Sequence, residues 1–380
     1  MITRYYKLIN EIEDGSIFLF GARQSGKSVF LAQQFPQAIS FDLLDSDLKK
    51  RFRERPSLLF DLLQDKPEGS IVVIDELPEV PELLNEVHRL IQRQGLRFVL
   101  CGSSARKLKR KGYNTLGGRA TPCYFYPFVS QELPNLDLDK ALLYGMLPPH
   151  YLAKNPRRLL SGYINVYLKE EIMEEALTRN IGVFQHFLTA AALTSGEIVN
   201  YTNIASDCGV SAKTIREYFG ILEDTLIGYM VPSYIKTLKR KVTQAPKFYF
   251  FDVGIYNYLM NRTQLSPGTP EYGHAFEHFV VQELMAYAGY THNEKRLSYW
   301  HTYSGREMDI VVGDAEIGIE IKAIPEVQPR HLSNFKDYHD EFPQSRCILV
   351  SLDKLTRRND NIELIYVMDF LKILWGGLLF

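Results

Sequence analysis

The octapeptide Gly21-Ala22-Arg23-Gln24-Ser25-Gly26-Lys27-Ser28 constrains this chain more than any other segment. It satisfies G-x-x-x-x-G-K-[ST] at every defined position. It follows the apolar run Ile17-Phe18-Leu19-Phe20 and precedes a segment, Val29 to Phe35, whose sequence predicts a helix. Such a loop between strand and helix curls so that its N–H groups converge on phosphate oxygens, and the helix N-terminus adds a favourable dipole. Residues 21–29 are therefore the predicted nucleotide cradle. Lys27 is expected to reach the β- and γ-phosphates and Ser28 to ligate Mg²⁺.

A second apolar run, Ile71-Val72-Val73-Ile74, ends in Asp75-Glu76. Asp75 at the strand edge is expected to hold the metal through water, and Glu76 to polarise the attacking water. The cofactors predicted are ATP and Mg²⁺. A third run, Arg97 to Cys101, leads into Gly102-Ser103-Ser104. Ser103 or Ser104 suits a sensor of the γ-phosphate, and a Ser-rich turn reads the same way. Arg119, in Gly117-Gly118-Arg119, suits an arginine finger supplied to a neighbouring subunit's nucleotide, or an ordinary surface arginine.

Length and composition frame these motifs. At 380 residues the chain predicts two or three domains. With 46% hydrophobic and 23% charged residues and a net charge of −1, it excludes long disorder and a uniformly basic nucleic-acid coat. The four cysteines form no C-x-x-C pair, which argues against a zinc or redox motif and suits a reducing compartment. Neither a secretory leader nor an apolar run of about 18 residues is visible, so a cytoplasmic protein without a membrane span is expected.

The fold class predicted is α/β: a P-loop domain over residues 1–150, a helical and winged-helix domain over 151–262, and a second α/β unit over 271–380. The middle segment, Tyr201 to Phe219, reads as a helix-turn-helix, with Gly209 at the turn, Val210 in the core and Ser211 capping a helix that carries Lys213 and Arg216 outward. From Met230 to Phe250 there are five basic residues, Lys236, Lys239, Arg240, Lys241 and Lys247, and no acid. That composition suits a wing gripping phosphates. Many winged helices serve only in packing or protein docking. A second acid-free stretch, Gly102 to Gln131, holds Arg106, Lys107, Lys109, Arg110 and Lys111, and suits a nucleic-acid channel or a solvated loop.

In the last unit Asp309 stands in one predicted strand, and Glu320 and Lys322 stand two apart on the next, so the latter two share a face. Glu277, on a predicted helix upstream, supplies a further carboxylate.

Gly21–Ser28 and Ile71–Glu76 make the first 150 residues resemble AAA-type P-loop ATPases. With the segment ending at Arg119 and with Phe276-Glu277-His278-Phe279-Val280-Val281-Gln282-Glu283-Leu284, the whole chain resembles a prokaryotic family that joins such an ATPase to a C-terminal domain of unknown function. The last unit also resembles the PD-(D/E)-x-K nuclease fold, although Met308, not proline, precedes Asp309. That resemblance implies Asp309 and Glu320 as metal ligands, Lys322 as the catalytic lysine and Glu277 as auxiliary. A trans-acting arginine implies a homo-oligomer, commonly a hexameric ring. The resulting expectation is a Mg²⁺-dependent ATPase that binds and remodels duplex or branched DNA. The alternatives are an ATP-gated, metal-dependent DNA nuclease and a nucleotide-switched protein-interaction module.

Overall fold

The computed structural model describes residues 2–103, 119–168, 181–235, 245–302 and 304–380. The expectations placed on Ser104, on Arg106 to Lys111, and on Lys236, Lys239, Arg240 and Lys241 lie outside the described residues. The chain divides into two compact units: Met1–Phe128 with Asp224–Leu226, and Val129–Glu223 with Ile227–Phe380.

The first unit is built on a five-stranded sheet with the order β2-β3-β4-β1-β5. Its strands are β1 (Ser16–Phe20), β2 (Ile39–Asp42), β3 (Ile71–Asp75), β4 (Arg97–Gly102) and β5 (Ala120–Tyr124). All four pairings are parallel. A parallel sheet covered on both faces requires strands apolar along their length, and every residue of β1 is buried. Phe18, Phe20, Val72, Ile74, Phe98 and Leu100 pack with Leu83, Leu84, Val87 and Leu90 of the helix Leu83–Gln94. Each such side chain stabilises the unit by about 1.5–3 kcal/mol through burial. Because β4 runs between β1 and β3, the carboxyl ends of those two strands face the same edge of the sheet, where open α/β sheets bind ligands.

The second unit holds a six-stranded mixed sheet, order β12-β13-β11-β10-β9-β8. Before it in the chain stand α3 and α4, numbered after α1 (Lys27–Gln34) and α2 (Leu83–Gln94) of the first unit. Helices α3 (Tyr201–Cys208) and α4 (Ala212–Asp224) meet at Gly209, which has φ of 66°. There the Gly209 and Val210 N–H groups close the end of α3 on Ser206 O (3.2 Å) and Ala205 O (3.0 Å). Ser211 Oγ accepts the Thr214 N–H at 3.1 Å and so starts α4. Val210 is half-buried, while Ile204 and Ala205 are buried. Strands β6 (Gly228–Val231) and β7 (Lys247–Phe250) then pair antiparallel.

The long helix α5 (Pro270–Tyr290) begins with Thr269 Oγ1 accepting the Tyr272 N–H and with Pro270 in its first turn. Strands β8 (Leu297–His301), β9 (Glu307–Val312) and β10 (Ile317–Lys322) form an antiparallel run. After α6 (Ser333–Glu341), β11 (Arg346–Ser351) lies parallel to β10. The pair β12 (Arg357–Asn359) and β13 (Ile362–Tyr366) and the final helix α7 (Val367–Trp375) complete the sheet. Trp300, Met308, Phe335, Tyr338 and Leu349 are the heart of one packed layer. Gly318 on β10 lies under the Tyr338 ring, which a Cβ there would meet at 2.5 Å. Among the described residues no helix is long and apolar enough to cross a membrane.

Candidate functional sites

The loop between β1 and α1 adopts a conformation its glycines permit. Gly26 has φ of 93° just before Lys27 opens α1, a left-handed value that side chains rarely adopt. A Cβ on Gly21 would lie 2.5 Å from Phe125 O, so the loop passes too close to the neighbouring backbone for any larger residue. Lys27 is buried, and its Nζ donates to Gly21 O (2.5 Å) and Ala22 O (3.1 Å). The Ser28 hydroxyl donates to Asp75 Oδ2 at 2.6 Å, which joins the loop to the end of β3. Asp75 Oδ1 accepts the Glu76 N–H at 3.0 Å, and Glu76 itself has φ of 53°. A non-glycine residue in that region carries strain of order 1–3 kcal/mol. Ser103 is buried at the end of β4, the strand between β1 and β3. Arg119 is exposed ahead of β5.

One residue of this site has no local sequence pattern. Arg4, only 6% exposed, donates from Nη1 to Ser25 O (2.8 Å) inside the loop, and from Nη2 to Tyr126 O (2.8 Å) and Pro127 O (2.9 Å). Its guanidinium lies 4.1 Å from the Phe125 ring centroid. Arg4 thus pins the crest of the loop to the segment that follows β5.

The second unit brings a different set together. Asp309, 1% exposed, accepts the Ile321 N–H through Oδ2 at 2.7 Å, so β9 and β10 hold it beside Glu320. Glu320 is fully buried. Its Oε1 accepts from Lys322 Nζ at 2.8 Å and from Asn334 Nδ2 of α6 at 3.1 Å, while its Oε2 has no hydrogen-bond partner among the described residues. Glu277 of α5 accepts the Tyr249 hydroxyl at 2.7 Å. Burial raises the proton affinity of both Glu277 and Glu320, and the Asp309 charge raises it further, against the opposing pull of the lysines. For Lys322, burial lowers proton affinity, but Asp309 and Glu320 outweigh it and push the pKa above the ordinary lysine value. Asp309 and Glu320 fit a divalent cation: their hard oxygen donors stand on adjacent strands, and the buried Glu320 Oε2 has no partner among the described residues.

Lys247 corrects an expectation. Its place among the basic residues of the 230–250 segment suggested phosphate contact, yet it is 2% exposed. Its Nζ lies 3.7 Å from Glu307 Oε2. Burial lowers its proton affinity, but Glu277, Asp309 and Glu307 overcome this and leave it raised. A run of lysines reads as solvated when only near neighbours are considered; here carboxylates from α5 and β9 draw Lys247 inward.

The polar residues of α5 were equally silent in sequence. His278 Nε2 meets Phe250 O at 2.6 Å, and Gln282 Oε1 accepts the Val253 N–H at 3.2 Å. Glu283 accepts the Ser130 N–H and hydroxyl (2.9 and 2.6 Å) and Trp375 Nε1 (2.6 Å). Burial raises the Glu283 pKa to about 7 in spite of these bonds. Lys213 and Arg216 are exposed on α4, with the Arg216 guanidinium 4.7 Å from the Tyr201 ring centroid.

Residues 13–133 match the family described as an AAA domain. Residues 135–266 and 272–370 each match a domain of unknown function, DUF8612 and DUF4143 respectively. No curated protein matches the chain. Among solved structures, a signal transduction ATPase with numerous domains, carrying a tetratricopeptide repeat sensor, from Pyrococcus horikoshii is similar at 14% identity with a TM-score of 0.24. The likeness covers 75% of this chain and 49% of that one, so the chain spans about half the length of that structure.

Proposed function

We propose that this chain, whose residues 13–133 form an AAA-type ATPase domain, hydrolyses Mg-ATP to act on DNA. The observation that supports hydrolysis is the 2.6 Å bond from Ser28 to Asp75, which sets the two residues meant to share a metal side by side. In this reading the loop N–H groups bind the phosphates, and Lys27 exchanges the Gly21 and Ala22 carbonyls for phosphate oxygens. Bound Mg²⁺ supplies charge neutralisation on the phosphates. Glu76 orients the attacking water, and Ser103 or Ser104 reads the γ-phosphate. Arg119 acts on a neighbouring subunit's nucleotide in a homo-oligomeric ring.

For the DNA role, α3 and α4 followed by β6 and β7 give the order of a winged helix, with Lys213 and Arg216 exposed on the second helix. Lys239, Arg240 and Lys241, which lie between β6 and β7 in the sequence, would supply further phosphate contacts. The helix α5, the β8–β10 run, α6 and parallel β11 give the order of a PD-(D/E)-x-K nuclease-like core. ATP turnover by the purified chain, with and without single-stranded, duplex and four-way junction DNA, tests this reading beside Lys27→Ala and Glu76→Gln. Stimulation by one DNA form supports it; turnover indifferent to all of them points to a protein partner instead.

A specific observation favours a second reading, metal-dependent DNA cleavage gated by ATP: the unpartnered buried Glu320 Oε2 beside Asp309 and Lys322. There Asp309 and Glu320 would hold Mg²⁺ or Mn²⁺, and Lys322 would steady developing charge on a phosphate. Nicks that appear with Mn²⁺ and vanish in Glu320→Ala are the expected result, and intact DNA under all conditions removes the reading.

A further inference from the structure

The carboxylate cluster carries a second lysine, and that lysine limits the metal the cluster can hold. Fully buried lysines are rare without carboxylate partners. Lys247 opens β7, with its Nζ 3.7 Å from Glu307 Oε2 and 5.6 Å from the Tyr299 ring centroid. Tyr249, two residues on along the same strand, donates to Glu277 at 2.7 Å. So β7 presents a cation and a hydroxyl donor to the Glu277 side of the cluster. On the other side Lys322 lies 2.8 Å from Glu320.

The formal charges then decide the stoichiometry. A metal binds deprotonated ligands, so in the loaded state Glu277, Glu307, Asp309 and Glu320 bring four negative charges, although burial favours protons on Glu277 and Glu320 in its absence, and Lys247 and Lys322 bring two positive ones. The remainder of −2 is neutralised by one divalent ion. A second would leave an uncompensated +2 beside the buried Lys247, Asp309 and Glu320, which is unfavourable. Two-metal centres set their ions about 3.5–4 Å apart and need carboxylates free to bridge them. Here Glu277 Oε1 already accepts from Tyr249, and Glu320 Oε2 is a buried oxygen without a partner among the described residues.

We propose that the cluster takes a single divalent cation, at Asp309 and Glu320, and that Lys247 occupies the electrostatic place of a second. This rests on the metal-binding reading of the cluster given above.

The test is Mn²⁺ titration of the full chain without nucleotide, in an Asp75→Asn background so that the phosphate-loop site contributes no ion. Binding is followed by calorimetry and electron paramagnetic resonance. The expected result is one Mn²⁺ per chain with the spectrum of an isolated ion, lost in Glu320→Gln. Lys247→Met should admit a second ion, seen as doubled stoichiometry and spin-coupled broadening, whereas Lys247→Arg should keep one. Two ions with Lys247 intact overturn the inference and leave the metal reading standing. A single ion in a Lys247→Met chain that melts cooperatively also overturns it. If that variant fails to fold, the stoichiometry with Lys247 intact still decides. No Mn²⁺ bound at all removes the metal reading itself, and the inference with it.

Discussion

The hydroxyl of Ser28, at the start of α1, donates to Oδ2 of Asp75, at the end of β3, at 2.6 Å. Forty-seven residues separate the two in the chain, and a parallel sheet with β4 threaded between β1 and β3 brings them together. Either residue alone is a common surface feature of a loop or strand end. Their contact, beside the left-handed Gly26 and the lysine that follows it, is what the proposed Mg-ATP site rests on.

Glu76→Gln should therefore separate binding from turnover. The amide keeps the side chain's shape but loses its basicity, and a positioned general base contributes about 10²- to 10⁴-fold. The expected outcome is ATP binding within a fewfold of the parent and kcat lowered at least about a hundredfold. Steady-state turnover beside equilibrium binding of a fluorescent nucleotide checks this. Unchanged kcat would remove Glu76 from the reaction. Gly26→Ala should instead abolish binding, because alanine resists the φ of 93° that the loop requires.

Arg4 should matter to nucleotide affinity without touching nucleotide. Arg4→Ala leaves the carbonyls of Ser25, Tyr126 and Pro127 without the guanidinium. Hydrogen bonds to a charged group contribute about 1.5–3 kcal/mol each, and three that share one guanidinium do not add in full, so a loss of at least about 3 kcal/mol in stability is expected. A raised KM for ATP should accompany it, with kcat changed less. Arg4→Lys restores charge but not the fork, and should recover only part of both effects. Equal KM in all three proteins, measured well below their melting temperatures, would show that Arg4 serves stability alone.

The elements were far more legible than these supports. The run Ile71 to Asp75 and the segment after Gly26 announce themselves because a buried parallel strand and a phosphate loop each demand a narrow set of residues. Gly209 and Ser211 mark a turn and a cap for the same local reason. The strand pair β12–β13 and the helix α7 were not read at all; for β12 the reason is that Arg357-Arg358-Asn359 is exposed along its length and carries no alternation. Arg4 stands twenty-one residues from the carbonyl it holds, and Lys247 owes its burial to carboxylates on α5 and β9. Such long-range pairings leave no periodic trace. In α5 the residues His278, Gln282 and Glu283 are each buried against a distant backbone or indole group, which no local pattern announces.

Glu283 gives the second unit a distinct pH dependence. Its pKa rises from 4.5 to about 7 on burial, so between those values the folded protein holds a proton that the unfolded chain has released. Stability from this group is thus full below about pH 4.5 and falls as pH rises towards 7. At about 1.4 kcal/mol per unit the loss reaches about 3 kcal/mol. Glu283→Gln cannot release a proton. Urea unfolding at pH 5 and pH 8 should show a drop in the parent that is smaller by about that amount in the variant. Identical drops would place the titration elsewhere.

The helix α4 offers the cleanest test of DNA contact, because phosphate contacts leave a salt signature. Each phosphate neutralised on duplex DNA contributes about −0.9 to the slope of log K against log salt. Lys213→Ala with Arg216→Ala should weaken binding and reduce the steepness of that slope by up to about 1.8. Arg216 also lies over the Tyr201 ring, so its loss alone disturbs packing at the start of α3. Arg216→Lys separates the two effects: it keeps the charge, and should keep the slope, while giving up part of the stacking. Fluorescence anisotropy with labelled duplex over a range of salt reads both quantities. If affinity and slope are untouched in the double variant, α4 does not face DNA, and its exposed cations belong to a solvated helix surface or to a protein contact.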